Sequence, residues 1–169
     1  MMGRHRDLRH WSGRRCQAHR VVMTTDRLGM TVLATNECFD LLRTQQVGRL
    51  AVAIGQHPDI FPINYAVDGG SVVFRTAEGT KLAGALLTPA VAFEADGVIE
   101  GSDEAWSVVV KGRAREIGKM FELLDALDLP LYPWQVAPKP RFVRIVPDEV
   151  TGRRFTVVDP AAWTEAARI

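Results

Sequence analysis

Cysteine and histidine are scarce here, two and four in 169 residues, and their placement excludes several chemistries. Cys16 and Cys38 form no CxxC pair and join no Cys/His cluster with metal spacing, so no metal site is expected. They read as two reduced thiols, as expected where disulfides are rare. The folded region offers only His57, in a turn-like stretch without a spaced partner, so an axial haem ligand is wanting and the residue reads as surface. Long apolar runs are absent. Nothing approaches the roughly 20 residues that span a bilayer, and the N-terminus lacks the apolar block and small-residue cleavage site of a secretory signal. The expectation is a cytoplasmic protein with no membrane partner. A charge excess of one sign is also lacking. The net charge is +1, but Arg4, Arg6, Arg9, Arg14, Arg15 and Arg20 against Asp7 make residues 1–20 +5 and leave −4 for the remainder. A mildly acidic folded part carries no electrostatic footprint for nucleic acid.

What is present suits one domain: 47% apolar and 24% charged residues, ordinary for a soluble globular chain. Residues 1–30 read as a disordered basic segment, either a solvated tail or translated sequence upstream of a start at Met23 or Met30. Residues 31–158 read as the domain and 159–169 as a C-terminal tail. Thr35 or Asn36 can cap a helix over Glu37–Gln45, with Cys38, Leu41, Leu42 and Gln45 on one face. The pattern then turns strand-like: Val47–Ile54, a turn over Gln56–Asp59, and Ile60–Val67, where Pro62 signals an edge, a bulge or a pairing irregularity. Asp68-Gly69-Gly70 has hairpin chemistry, and Ser71–Thr76 is the next strand. A short helix over Thr80–Leu87 follows, then a strand over Ala90–Asp96 and a loop over Gly97–Glu104. A long strand over Trp106–Ile117 carries Gly112 as a bulge candidate, and a helix covers Lys119–Leu127. Beyond the prolines at 130, 133, 138 and 140, Phe142–Val146 and Val150–Val157 read as two final strands. Hairpin-linked strands about every ten residues with few helices give an antiparallel barrel or sandwich.

The chemistry concentrates in Phe74-Arg75-Thr76-Ala77-Glu78-Gly79-Thr80-Lys81. A strand, a glycine turn and a helix start gather one guanidinium, one ammonium, two hydroxyls and free backbone N–H groups, the donors an anionic phosphate wants. The plainer alternative pairs Arg75 with Glu78 and leaves Lys81 solvated. Phe61-Pro62-Ile63-Asn64-Tyr65 lies on the strand that the hairpin pairs with this one. There Pro62 frees backbone groups, and Asn64 lies across from the strand bearing Arg75 and Thr76. Glu94 and Asp96 are a carboxylate pair or a solvated strand end. Trp134 lines a pocket or caps a core, and Trp163 belongs to no motif.

The ordered set Val47-Gly48-Arg49-Leu50-Ala51, Pro62-Ile63-Asn64-Tyr65, Phe74-Arg75-Thr76 with Gly79-Thr80-Lys81, and Val91-Ala92-Phe93-Glu94 resembles the pyridoxamine 5′-phosphate oxidase-like family. Trp106-Ser107-Val108-Val109-Val110-Lys111-Gly112 and Val150-Thr151-Gly152-Arg153 fit the same group. The resemblance covers about residues 34–155 and is nearest to small actinobacterial members and the nitroimidazole-reductase branch. It implies a mainly β, six- to seven-stranded antiparallel split barrel with a few peripheral helices, binding FMN as a homodimer with both sites at the subunit interface. By that resemblance Thr76, Thr80 and Lys81 grip the flavin phosphate with Arg75 as an added contact. The backbone of Pro62, Ile63 and Asn64 runs along the isoalloxazine ring, and Trp106 and Ser107 approach from the partner subunit. The pyridoxal-phosphate-binding residues of the authentic oxidase have no counterparts. Arg75 stands where the nitroimidazole branch often has His, so no catalytic residue is assigned. The expected activity is a flavin-dependent oxidoreductase on a small molecule. The alternatives are the deazaflavin F420 on the same fold, or a non-catalytic flavin store or sensor.

Overall fold

The computed structural model describes residues 24–27, 29–54, 57–77, 90–132 and 138–158. Its elements in chain order are β1 (Thr24–Thr25), β2 (Thr31–Val32), α1 (Thr35–Leu42), β3 (Val47–Ile54), β4 (His57–Asp68), β5 (Ser71–Thr76), β6 (Ala90–Val98), β7 (Glu104–Glu116), α2 (Met120–Leu127) and β8 (Arg141–Thr156). All strand pairs are antiparallel. The order β8-β5-β4-β3-β6-β7 closes on itself through a β7–β8 ladder, giving a six-stranded ring with β1 and β2 added along β8.

Period-two alternation sorts the strands' two faces. Leu50, Val72, Phe74, Phe93, Trp106, Val108 and Ile145 point inward and are buried. Each such side chain contributes roughly 1.5–3 kcal/mol on burial. α1 plugs this interior with Cys38, Phe39 and Leu42. The plug seats closely because Gly152 has no side chain: a Cβ there would lie 2.5 Å from the Cys38 sulfur. Burial, chiefly, and then Glu37 push the Cys38 thiol pKa upward, so the group behaves as a small hydrophobe. The Tyr65 hydroxyl donates to the Leu42 carbonyl at 2.6 Å and ties the plug to β4. A second, outer cluster of Ala66, Val73, Ile117, Ala126, Leu131 and Phe142 forms where α2 covers β4, β5 and β8.

Four sequence expectations are corrected. Residues 24–27 and 29–30, expected within a disordered segment, include β1 and a turn. Asp26 accepts from Met30 N–H at 3.1 Å and pairs with Arg153 at 2.9 Å, which fastens them to β8. α1 begins at Thr35 and stops at Leu42 rather than running over Glu37–Gln45. The Glu37 carboxylate accepts the Ala34 N–H at 2.8 Å, so the cap moves back, and Thr44 and Gln45 donate tightened bonds to Leu41 and Leu42. β4 starts at His57, paired with Ile54, so most of the stretch read as a turn is strand. Finally, β8 is one 16-residue strand, not two. Pro147 is accommodated at a register shift where Gly112 lies opposite it, and a Cβ on Gly112 would collide with the Val146 carbonyl. The bulge expected at Gly112 is thus the device that carries β8 past its proline.

Among the described residues, no helix is long and apolar enough to cross a membrane. Residues 1–23 and 159–169, with Cys16, Met23 and Trp163, lie outside the described residues, as does Trp134.

Candidate functional site

The β4–β5 hairpin turns at Gly69 and Gly70, with φ of 52° and 76°, the left-handed conformation that glycine adopts without strain. Arg144 clamps this turn from β8, donating to Asp68 Oδ2 and to Ser71 Oγ, each at 2.6 Å. The hairpin ladder ends at Tyr65–Phe74, although β4 continues back to His57. Among the described residues, the strand that pairs with 57–64 is β3. Pro62 sits opposite Arg49 in an unbroken register, so of the readings open for it the edge is the one the fold uses.

Arg75 and Asn64 project to the outer face where this ladder ends. The Arg75 guanidinium lies 4.8 Å from the centroid of the Phe142 ring, and its Nε donates to the Lys139 carbonyl at 2.8 Å. A cation over a ring gains about 0.5–2 kcal/mol depending on desolvation. This pair of contacts fixes the head of the arginine without neutralising it. Asn64 Nδ2 reaches toward the Gln46 carbonyl at 3.5 Å, at the long limit for such a bond. Asn64, Arg75, Leu131 and Lys139 together line a narrow pocket of about 10 Å³. That is room for about one water-sized group, so the pocket can read a single ligand atom while the rest lies outside it. Among the described residues, no carboxylate pairs with Arg75 or with the Lys139 ammonium. Arg75 and Lys139 thus both border this pocket.

The remaining predicted site residues are distributed differently. Ile63 points into the barrel and is buried, leaving only its backbone at the edge. Thr76 is 3% exposed on the inner face, because consecutive strand residues point to opposite sides. The hydroxyl and the guanidinium expected side by side are separated by the strand itself. Thr80 and Lys81, with Glu78, Gly79 and the expected helix Thr80–Leu87, lie outside the described residues. Trp106 is 2% exposed within the core, where its indole packs against Gly97. Ser107 is half-buried on the outer face between Asp96 and Arg153. Glu94 and Asp96 are an ion-pair site: both accept from Arg49, which raises the guanidinium pKa above its ordinary value through the bond to Asp96 first and Glu94 second. His57 is exposed at the start of β4.

Lys139 and Leu131 were not picked out by sequence reasoning. The available signal was a lysine between Pro138 and Pro140, a cation on stiffened chain. On the other side of Leu131, a cleft of about 340 Å³ opens between the end of α1 and the segment after α2. Arg43, Gln45, Gln46, Ala66, Pro130 and Tyr132 are among its lining residues. Its volume falls in the range of small-molecule sites. Burial, with a smaller contribution from Glu94, pushes the Tyr65 phenol well above its usual pKa, so Tyr65 stays protonated and structural beneath that cleft.

Comparison with known proteins adds to this geometry. The family described as pyridoxamine 5′-phosphate oxidase matches residues 34–154. A solved structure, the FAD binding protein from Mycobacterium smegmatis, is 42% identical, covers 74% of this chain and 99% of its own, and superposes with a TM-score of 0.66. A FAD-binding protein from Mesorhizobium loti is 30% identical over 75% of this chain and 98% of its own, with a TM-score of 0.62. An uncharacterized Mycobacterium tuberculosis protein is 32% identical over 144 residues, 82% of this chain and 89% of its own.

Proposed function

The chain belongs to the pyridoxamine 5′-phosphate oxidase family, and from that premise we propose that it is a flavin-dependent oxidoreductase that anchors FMN at the Asn64–Arg75–Lys139 mouth. The observation that carries this reading is Arg75: a guanidinium fixed by a ring and a carbonyl, in a pocket it shares with Asn64 and Lys139, where the β4–β5 ladder ends. Arg75 and Lys139 suit the phosphate as fork and point charge, with Thr80 and Lys81 joining them as the family resemblance implies. The backbone of Pro62–Asn64, beyond the end of the β4–β5 ladder, suits the polar rim of a flat ring. Thr76, turned inward, supports the strand end.

In this reading the protein is a cytoplasmic homodimer, and β7 reaches the partner's cofactor through Ser107, because the Trp106 indole is enclosed. A bound flavin supplies the redox chemistry of the reaction. The chain's own residues bind it, fix its orientation and shape the space above it. The 340 Å³ cleft beside the mouth gives a small substrate its place, with Gln45, Gln46 and Tyr132 to orient it. No side chain is assigned to proton transfer.

FAD is a second reading, favoured by the Mycobacterium smegmatis relative that is described as binding it. F420 is a third, and its oligoglutamate tail asks for more cations than Arg75 and Lys139 supply. Chromatography of the flavin released from purified protein separates the three. The decisive variant combines Arg75→Ala with Lys81→Ala. It is expected to purify folded but colourless, and a double variant that stays yellow with unchanged flavin content ends the assignment. Anaerobic NAD(P)H is expected to bleach the bound flavin; a flavin that no donor bleaches belongs to a store, not an enzyme.

A further inference from the structure

The 340 Å³ cleft offers a ligand amides and a phenol but almost no charge. Of the described residues that line it, Arg43 alone is charged, and Asp40 meets that charge at 2.8 Å on the exposed rim. The floor is apolar or already satisfied: Leu42 and Ala66 are buried, and the Tyr65 hydroxyl is committed to the Leu42 carbonyl. What remains to address a ligand is the pair of carboxamides of Gln45 and Gln46, with the Tyr132 phenol. Among the described residues, none of these three side chains has a hydrogen-bond partner.

Gln45 is the better fixed of the two amides. It is half-buried and lies against Gly97, where a Cβ would come within 2.7 Å of its Nε2 and 3.1 Å of the Trp106 indole. The glycine keeps open the space this amide fills, so packing on β6 sets its orientation. A carboxamide carries donors on nitrogen and an acceptor on oxygen. An amide or lactam edge on a ligand answers both in one cyclic pair. A carboxylate answers only the donors, and it must give up its water where the one nearby guanidinium is already engaged. A phosphate, with more charge to desolvate, is matched worse still. Pro130, Ala66 and Val67 beside the Tyr132 ring suit the faces of a flat ligand, and a volume at the lower end of the small-molecule range suits a compact one.

We infer that this cleft selects an uncharged, planar substrate that presents an amide-type edge to Gln45 and Gln46, and that it discriminates against carboxylated and phosphorylated ones. The inference rests on the reading of the cleft as the substrate's place. The test titrates the isotope-labelled full chain, with and without FMN, using benzamide, benzoate and pyridoxal 5′-phosphate. Nuclear magnetic resonance follows the side-chain amide signals of Gln45 and Gln46 and the backbone signals of Ala66 and Val67. Benzamide is expected to shift these signals and to bind about tenfold more tightly than benzoate, the effect of one hydrogen bond left unmade. Pyridoxal 5′-phosphate is expected to leave them in place when FMN is bound. Gln45→Met, similar in size but unable to pair, is expected to weaken benzamide binding about tenfold with an unchanged thermal melt. Gln46→Met serves if that variant does not fold. Benzoate or pyridoxal 5′-phosphate bound in the cleft as tightly as benzamide overturns the inference. So does benzamide that shifts none of these signals, or that binds the glutamine variants as it binds wild type. The two readings fail separately: benzamide shifts in a protein that takes up no flavin count against the flavin reading alone, and an FMN-loaded protein blind to benzamide counts against amide recognition alone.

Discussion

Two arginines on the same outer barrel wall show how differently one residue type can be used. Arg49 on β3 sits between Glu94 and Asp96, and its charge is spent on its neighbours. Arg75 on β5 is held by the Phe142 ring and the Lys139 carbonyl, groups that position it and leave its charge to act outward. A cation is available to a ligand when its supports are neutral. Composition cannot separate these cases; only the identity of the cross-strand neighbours does, acids for Arg49 and an aromatic for Arg75.

Substitutions that treat the two alike should break the comparison if it is wrong. Arg75→Ala alone is expected to weaken flavin binding about 100-fold, the effect of losing charged hydrogen bonds of roughly 1.5–3 kcal/mol, as read by titrating the apo-protein. Lys139→Ala, which removes a point charge and keeps the carbonyl that holds Arg75, should weaken it about tenfold. Arg49→Ala should leave flavin affinity unchanged and the unfolding midpoint within error of wild type, because exposed pairs contribute little. An Arg49 variant as damaging as the Arg75 variant would erase the distinction. The smallest effect is expected at Glu116, whose carboxyl is held below the ordinary glutamate pKa by its hydrogen bond from Arg141. A depressed carboxylate stabilises the fold above its unfolded pKa of about 4.3 and loses that contribution as the pH falls through the folded value. Glu116→Gln should therefore be slightly less stable than wild type at neutral pH, and the gap should close below about pH 4 in thermal melts.

The sequence was most legible where one local rule governed. β3 and β5 occupy the residues their alternation predicts, and the glycine turn between β4 and β5 follows from the left-handed backbone it needs. It misled where a local breaker met a distant compensation. Pro147 looked like the end of a strand because its partner at the bulge, Gly112, lies on another strand. At the site, Asn64 and Arg75 were within reach because one hairpin joins them. Lys139 and Leu131 were not, because the chain returns to that hairpin only after β6, β7 and α2. Reading Arg75 and Thr76 as neighbours in space confused adjacency along a strand with a shared face.

β8 has a temporal consequence. It hydrogen-bonds to β2, β5 and β7 at once, and it is the last strand among the described residues. On the ribosome, β3 to β7 can form only an open curved sheet whose outermost strands, β5 and β7, bare their peptide groups until the closing 16 residues emerge. A nascent chain stalled before Arg141 is therefore the species most prone to pair with its neighbours, and release of the C-terminus is the moment at which this protein becomes safe from itself.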